Sequence, residues 1–261
     1  MTIAQVNGIS LNYEARGSGA PLVFIHGLGG ALEDWEHQIA HFANDYQVIV
    51  PDLRGHGRSA KPAGGYSMQL FASDIACLLN ALRLPPAHVV GLSLGGGIAF
   101  QLALDSPELI RTLTIVNSGP EMIPRTLKEK FAIWLRFAII RLFGLPKLGE
   151  IVGKKLFPEP ADAAELKAFL ERYARNEPHA YTGALRAFVG WSVTAQLGQL
   201  RCPTLIMSAD QDYTPVAFKE AYVGKIPGAK LVVIPDSHHA APSERPAAFN
   251  ALLEEFLRKN S

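Results

Sequence analysis

The chain has 261 residues, 25 Lys and Arg against 24 Asp and Glu, and 48% apolar side chains. That length suits one α/β domain with an insertion better than two independent domains, and the composition excludes a disordered or fibrous chain. The charges nearly cancel and no stretch clusters Lys and Arg, which argues against a nucleic-acid partner. Two cysteines, Cys77 and Cys202, read as buried, reduced thiols, because so large an apolar chain needs no disulfide staple.

Met1 to Gly8 shows no basic region followed by an apolar run, so a cytoplasmic location is the default expectation. Ile9-Ser10-Leu11-Asn12-Tyr13 alternates in polarity and predicts an antiparallel strand at a sheet edge. Apolar runs follow at Pro21 to Ile25, Val48 to Val50, His88 to Val90, Leu113 to Val116, Thr204 to Met207 and Lys230 to Ile234. They are apolar throughout, as strands covered on both faces must be. Helical spacing appears between them, in Phe71, Ile75, Leu78, Leu79 and Leu82, and near the end in Phe249, Leu252, Leu253, Phe256 and Leu257. The alternation predicts an α/β fold, a mostly parallel central sheet with helices on both faces.

The rhythm breaks after Val116 and resumes at Thr204. Residues 119–200 therefore read as a helical cap of three or four helices, broken at Gly144-Leu145-Pro146, Pro158-Glu159-Pro160 and Pro178. Residues 1–118 and 201–261 form the core in this division. A cap over the carboxyl ends of the strands is the economical arrangement, since open α/β sheets bind ligands there. The apolar window from Phe131 to Phe143 is interrupted by Arg136 and Arg141 and is too short to span a bilayer, so no stable membrane insertion is expected.

Gly91-Leu92-Ser93-Leu94-Gly95 follows the strand at His88 to Val90 and runs into the apolar helical segment Ile98 to Leu104. In that setting a serine between small residues is a candidate nucleophile, pushed out of the backbone by a tight strand-to-helix turn. A serine hydroxyl needs a positioned base, and His238 and His239 follow the last strand. His37, His41, His88 and His179 have no ligand-like spacing, so neither a metal site nor a cofactor is expected.

With these residues the chain resembles the α/β-hydrolase family, of the capped, single-domain, esterase or enol-lactonase type. The resemblance rests on His26-Gly27-Leu28-Gly29-Gly30, on Asp52-Leu53-Arg54-Gly55-His56-Gly57-Arg58-Ser59, on the Ser93 segment, and on Ile234-Pro235-Asp236-Ser237-His238-His239 with Glu244-Arg245-Pro246. It implies an order of serine, acid and histidine along the chain. Counting forward from Pro235 and back from Glu244 selects His239 as base, with His238 a neighbour. Alignment on Ala209 selects Asp212 as acid, and Asp210 stays open as the alternative. The backbone N–H groups of Leu28 and Leu94 are implied as oxyanion donors, and Leu28 as part of the acyl wall. His26, His56, Asp52 and Arg54 read as loop braces, and Trp35 as core.

The implied activity is hydrolysis of carboxylic esters of small to medium apolar acyl groups through an acyl-enzyme. Trp134 and Phe137 of the cap are candidates for the acyl pocket; Arg136 and Arg141 read as solvated ends, with service to a substrate carboxylate the alternative. A lactonase, thioesterase, carbon-carbon bond hydrolase or cofactor-free perhydrolase would use the same residues. A small-molecule receptor of the same fold is the non-enzymatic alternative. The expected partner is a small ester; a homodimer is left open.

Overall fold

The apolar runs pair into one eight-stranded sheet in the computed structural model, which describes residues 2–260. In chain order the strands are β1 (Thr2–Val6), β2 (Ile9–Arg16), β3 (Ala20–Ile25), β4 (Tyr46–Pro51), β5 (Ala87–Leu92), β6 (Ile110–Val116), β7 (Thr204–Ala209) and β8 (Lys230–Ile234). In space they run β1-β2-β4-β3-β5-β6-β7-β8. All pairs from β4 to β8 are parallel, and β2 is antiparallel to both its neighbours. The alternating segment at Ile9 therefore lies one place in from the edge, and β1 takes the edge instead. The hairpin that adds β1 turns on Asn7 and Gly8, at φ 48° and 76°, the left-handed pair that Asn-Gly adopts most readily.

The helices are α1 (Glu36–Phe42), α2 (Met68–Ala81), α3 (Leu94–Asp105), α4 (Leu127–Leu156), α5 (Ala163–Ala174), α6 (Pro178–Phe188), α7 (Val216–Val223), α8 (Ala241–Glu244) and α9 (Pro246–Arg258). Because successive strand residues face opposite ways, Val23 and Ile25 enter one buried layer with Phe71, Ile75, Leu78, Ile98 and Leu102 of α2 and α3. Leu22 and Phe24 enter the other, with Ile39 and Phe42 of α1 and Phe249, Leu253 and Leu257 of α9. Burial of these two layers is the main favourable term holding helices to sheet. Cys77 and Cys202 are free thiols, partly rather than fully buried.

Between β6 and β7 the chain makes its helical excursion. Thr126 Oγ1 accepts from the Glu129 amide while the Glu129 carboxylate accepts from the Thr126 amide, a reciprocal cap that starts α4. Gly144, at φ 76° and ψ 177°, bends α4 just ahead of Pro146. Its later part packs with α5 and α6 through Ile140, Leu145, Leu148, Phe169, Tyr181 and Leu185. Leu28, after β3, and Ala240, after β8, join that cluster, so the excursion is seated on loops at the carboxyl end of the sheet. Among the described residues no helix is long and apolar enough to cross a membrane.

Candidate active site

Ser93 is the single residue between β5 and α3 and sits at φ 56°, ψ −117°, a conformation side-chain-bearing residues rarely adopt. Two flanking positions require glycine for the turn to close. A Cβ on Gly91 would collide with the Gly95 backbone, and a Cβ on Gly95 with the carbonyl of Ile25. The turn is then pinned on all sides. The Ser93 amide donates to Val116 O (3.0 Å), and its carbonyl accepts from the amide of Gly96 (2.9 Å) and the hydroxyl of Ser118 (2.6 Å). Tyr222 of α7 in turn donates to Ser118 O at 2.9 Å. The loop after β3 lies alongside, since a Cβ on Gly27 would stand 4.0 Å from Ser93 Oγ. Leu94, whose amide opens α3, is fully buried, and the first amides of a helix have no partner within it.

His239 Nδ1 lies 2.8 Å from Asp212 Oδ1. The other carboxylate oxygen of Asp212 accepts from Lys219 Nζ at 2.7 Å and from the Thr214 hydroxyl. Burial opposes ionisation of Asp212, but the His239 hydrogen bond and charge, followed by the Lys219 ammonium, outweigh it and hold the carboxyl at about 2. Lys219 is itself completely buried, which lowers its pKa against the pull of Asp212. Asp210, the other candidate acid, points elsewhere: its two oxygens accept from the amides of Asp236 and Ser237, both at 3.1 Å. His238 is tied to Glu244, through its amide (2.6 Å) and its Nδ1 (2.7 Å).

Three residues here escaped the sequence reading. Asn117, just past β6 at φ 44°, donates to the carbonyls of His238 (3.2 Å) and His239 (2.9 Å) and accepts from the Ala209 amide (2.8 Å). It fastens the histidine loop to the end of β7. Lys219 is the second, a cation on the short helix after the acid loop. The third is Tyr213, whose hydroxyl lies 2.7 Å from His239 Nε2. Its ring stacks on the imidazole, centroids 4.1 Å apart at 28°. Tyr213 is 59% exposed as a whole, but desolvation of its hydroxyl against His239, and then the Asp212 charge, push the phenol pKa up. An aromatic residue beside the acid was the only sequence signal available for it.

The histidines of the upstream loops brace them. His26 Nε2 accepts from the Leu53 amide (3.0 Å), and His56 Nδ1 bonds Arg54 O (3.0 Å). Asp52 accepts from the amides of Leu32 and Arg58, both at 2.8 Å, and Arg54 makes a buried two-point pair with Asp74. Trp35 is buried in the core against Phe24.

Leu28 is half-buried between the sheet layer and the helical excursion. Trp134 is 61% exposed and stacked on Phe131, so the structure brings it to the outer surface of α4 and not to Ser93. Phe137 is half-buried, with the Arg186 guanidinium 5.3 Å from its ring centroid. Arg141 is exposed as expected. Arg136 departs from its expected solvated position: two residues on from Trp134, it lies on the opposite side of α4, and its guanidinium carbon lies 5.6 Å from the Tyr181 ring centroid. The inward side of the excursion is thus polar as well as aromatic.

A doubly wound sheet with a serine on a strained strand-to-helix turn, and an imidazole backed by a buried carboxylate nearby, is the build of a hydrolase. The chain belongs to the α/β hydrolase fold family, whose model matches residues 20–246. It is 29% identical to 3-oxoadipate enol-lactonase 2 of Acinetobacter baylyi, over 96% of this chain and 94% of that protein. Among solved structures it is similar to an N-acyl homoserine lactone degrading enzyme (32% identity, TM-score 0.84, 98% of this chain and 100% of the other). A thermophilic esterase from Thermogutta terrifontis is also similar (26% identity, TM-score 0.89, 100% and 99% covered). The protein is an enzyme of this family that hydrolyses esters or related bonds.

Proposed function

We propose that the protein is a carboxylic-ester hydrolase, acting on open-chain esters or lactones with small to medium acyl groups, in which Ser93 is the nucleophile, His239 the base and Asp212 the acid. The observation that carries this reading is the His239–Asp212 pair at 2.8 Å, set beside a serine that the fold holds at positive φ. Asp212, ionised well below neutral pH, keeps the imidazole in the tautomer whose Nε2 can accept a proton and stabilises the imidazolium that follows. Residues 119–200 serve as the cap over this site, and residues 1–118 and 201–261 as the core.

In the first half-reaction the Ser93 hydroxyl adds to the ester carbonyl as its proton passes to His239. The resulting oxyanion is held by the backbone N–H groups of Leu28 and Leu94, one from the loop after β3 and one from the start of α3. Collapse expels the alcohol, which takes the proton from His239 and leaves an acyl-serine. Water, deprotonated by His239, then adds and releases the acid. For the first step the Tyr213 hydroxyl must leave His239 Nε2. Similarity to a lactonase and a lactone-degrading enzyme supports a ring-opening reaction as well as cleavage of open-chain esters.

A fluorophosphonate should label Ser93 at one site, and Ser93→Ala should lose turnover on 4-nitrophenyl esters by on the order of a million-fold. A folded Ser93→Ala protein of full activity would overturn the assignment. Labelling of Ser93 without multiple turnovers on any ester or lactone would favour the receptor reading.

A further inference from the structure

Three buried polar atoms, one from each helix of the excursion, have no hydrogen-bond partner among the described residues: Arg136 Nε on α4, the Tyr173 hydroxyl on α5 and the Tyr181 hydroxyl on α6. They lie together. The Tyr173 and Tyr181 rings are 5.5 Å apart, and the Arg136 guanidinium carbon stands 5.6 Å from the Tyr181 ring centroid. Both tyrosines are at most 1% exposed. Native proteins seldom leave buried polar atoms unpaired, and three converging from separate helices point to a ligand group that pairs them.

The cluster packs against the loops that carry Leu28 and His239. A Cβ on Gly29, in the loop that carries Leu28, would come within 2.6 Å of Tyr173 Cε2 and 3.0 Å of Tyr181 Cε2. Both rings belong to the buried cluster that includes Ala240, the residue after His239, and against which Leu28 packs. All three orphans are able to donate: a guanidinium has donors only, and a phenol donates readily. A positive guanidinium with two phenol donors beside it suits an anion, and the planar guanidinium fork matches a carboxylate.

We propose that Arg136, Tyr173 and Tyr181 form a carboxylate subsite, so that the substrate is an ester or lactone that carries a free carboxylate besides the bond that is cleaved. The proposal rests on the ester-hydrolase reading above and names the substrate class of that same site. It departs from the expected preference for apolar acyl groups.

The test compares mono-4-nitrophenyl esters of succinic, glutaric and adipic acid with the same compounds methylated on the free acid, at low ionic strength and corrected for spontaneous hydrolysis. Wild type should favour the best free acid over its methyl ester by at least about 10-fold in kcat/KM. Arg136→Met should bring that ratio to about one, and Arg136→Lys, which keeps the charge but not the fork, should retain part of it. As a readout without turnover, glutarate should raise the melting temperature of Ser93→Ala, and should not do so when Arg136→Met is added. Equal wild-type rates on acid and methyl ester would overturn the subsite, as would an unchanged ratio in folded Arg136→Met or an equal loss on both esters. If Ser93 is labelled by fluorophosphonate and the methyl esters turn over, that failure is confined to the subsite. If neither occurs, the hydrolase reading itself has failed.

Discussion

His239 Nε2 can pair with one group at a time, and in the structure it pairs with the Tyr213 hydroxyl at 2.7 Å. In the proposed mechanism that hydroxyl competes with Ser93 for His239, and a neutral hydrogen bond of this kind contributes about 1 kcal/mol net. Tyr213→Phe keeps the ring that stacks on the imidazole and removes the competitor. Turnover of 4-nitrophenyl acetate should then rise about 5-fold in kcat/KM, with faster fluorophosphonate labelling of Ser93. A fall of similar size would instead make the hydroxyl a relay between serine and histidine. The residues of the proposed reacting set differ in how legible they are in the sequence. Ser93 stands in a local pattern of glycines, and His239 at a fixed count from Pro235 and Glu244, so both could be read from neighbours in the chain. Asn117 and Tyr213 act on residues brought near by the fold, 122 and 26 positions away, and nothing adjacent to them in sequence marks the contact.

Elements show the same division between local and long-range information. Apolar runs and turn residues were sufficient to place β3 through β8 and the breaks at Gly144 and Pro178, because each follows from its own composition. The rotation of α4 about its axis was not legible. A helix rich in Phe, Trp, Ile and Leu offers several candidate inner faces, and packing against α5 and α6 decides that Arg136 turns in and Trp134 out. The acid loop gives an element-scale prediction. Lys219 on α7 reaches back to Asp212 and to the carbonyl and hydroxyl of Thr214, fastening that helix to the loop after β7. Removing one member of a buried ion pair leaves the other charge short of a partner, at a typical cost of about 3 kcal/mol. Lys219→Met should therefore lower the free energy of unfolding in urea by about that amount. A loss below about 1 kcal/mol would mean that His239 alone satisfies the Asp212 carboxylate.

For the whole molecule, acid stability follows from two histidines buried on the neutral side of their titration. Burial, then the neighbouring His26 charge, depress His56 from 6.5 to about 3, and burial, then Arg111, depress His88 from 6.5 to about 4. The unfolded chain takes up a proton at each near 6.5 while the folded chain refuses it until the lower value, so over that interval the unfolded state binds more protons. Stability is therefore fully present above pH 6.5 and is lost as pH falls toward 4 and then 3. Asp212, lowered from 3.8 to about 2, adds its own loss as pH falls from about 4 toward 2, where the unfolded carboxylate takes up a proton and the folded one does not, and contributes little between pH 7 and pH 5. His56 alone should lower the unfolding free energy by about 2 kcal/mol between pH 7 and pH 5. His56→Gln removes the titrating group from its site beside His26 and Arg54. Urea unfolding at the two pH values should show a smaller drop in the variant than in wild type, by that same 2 kcal/mol approximately, even where the variant is the less stable protein at pH 7. Equal drops in the two proteins would place the acid sensitivity elsewhere, with the buried His88 on β5 the next group to replace.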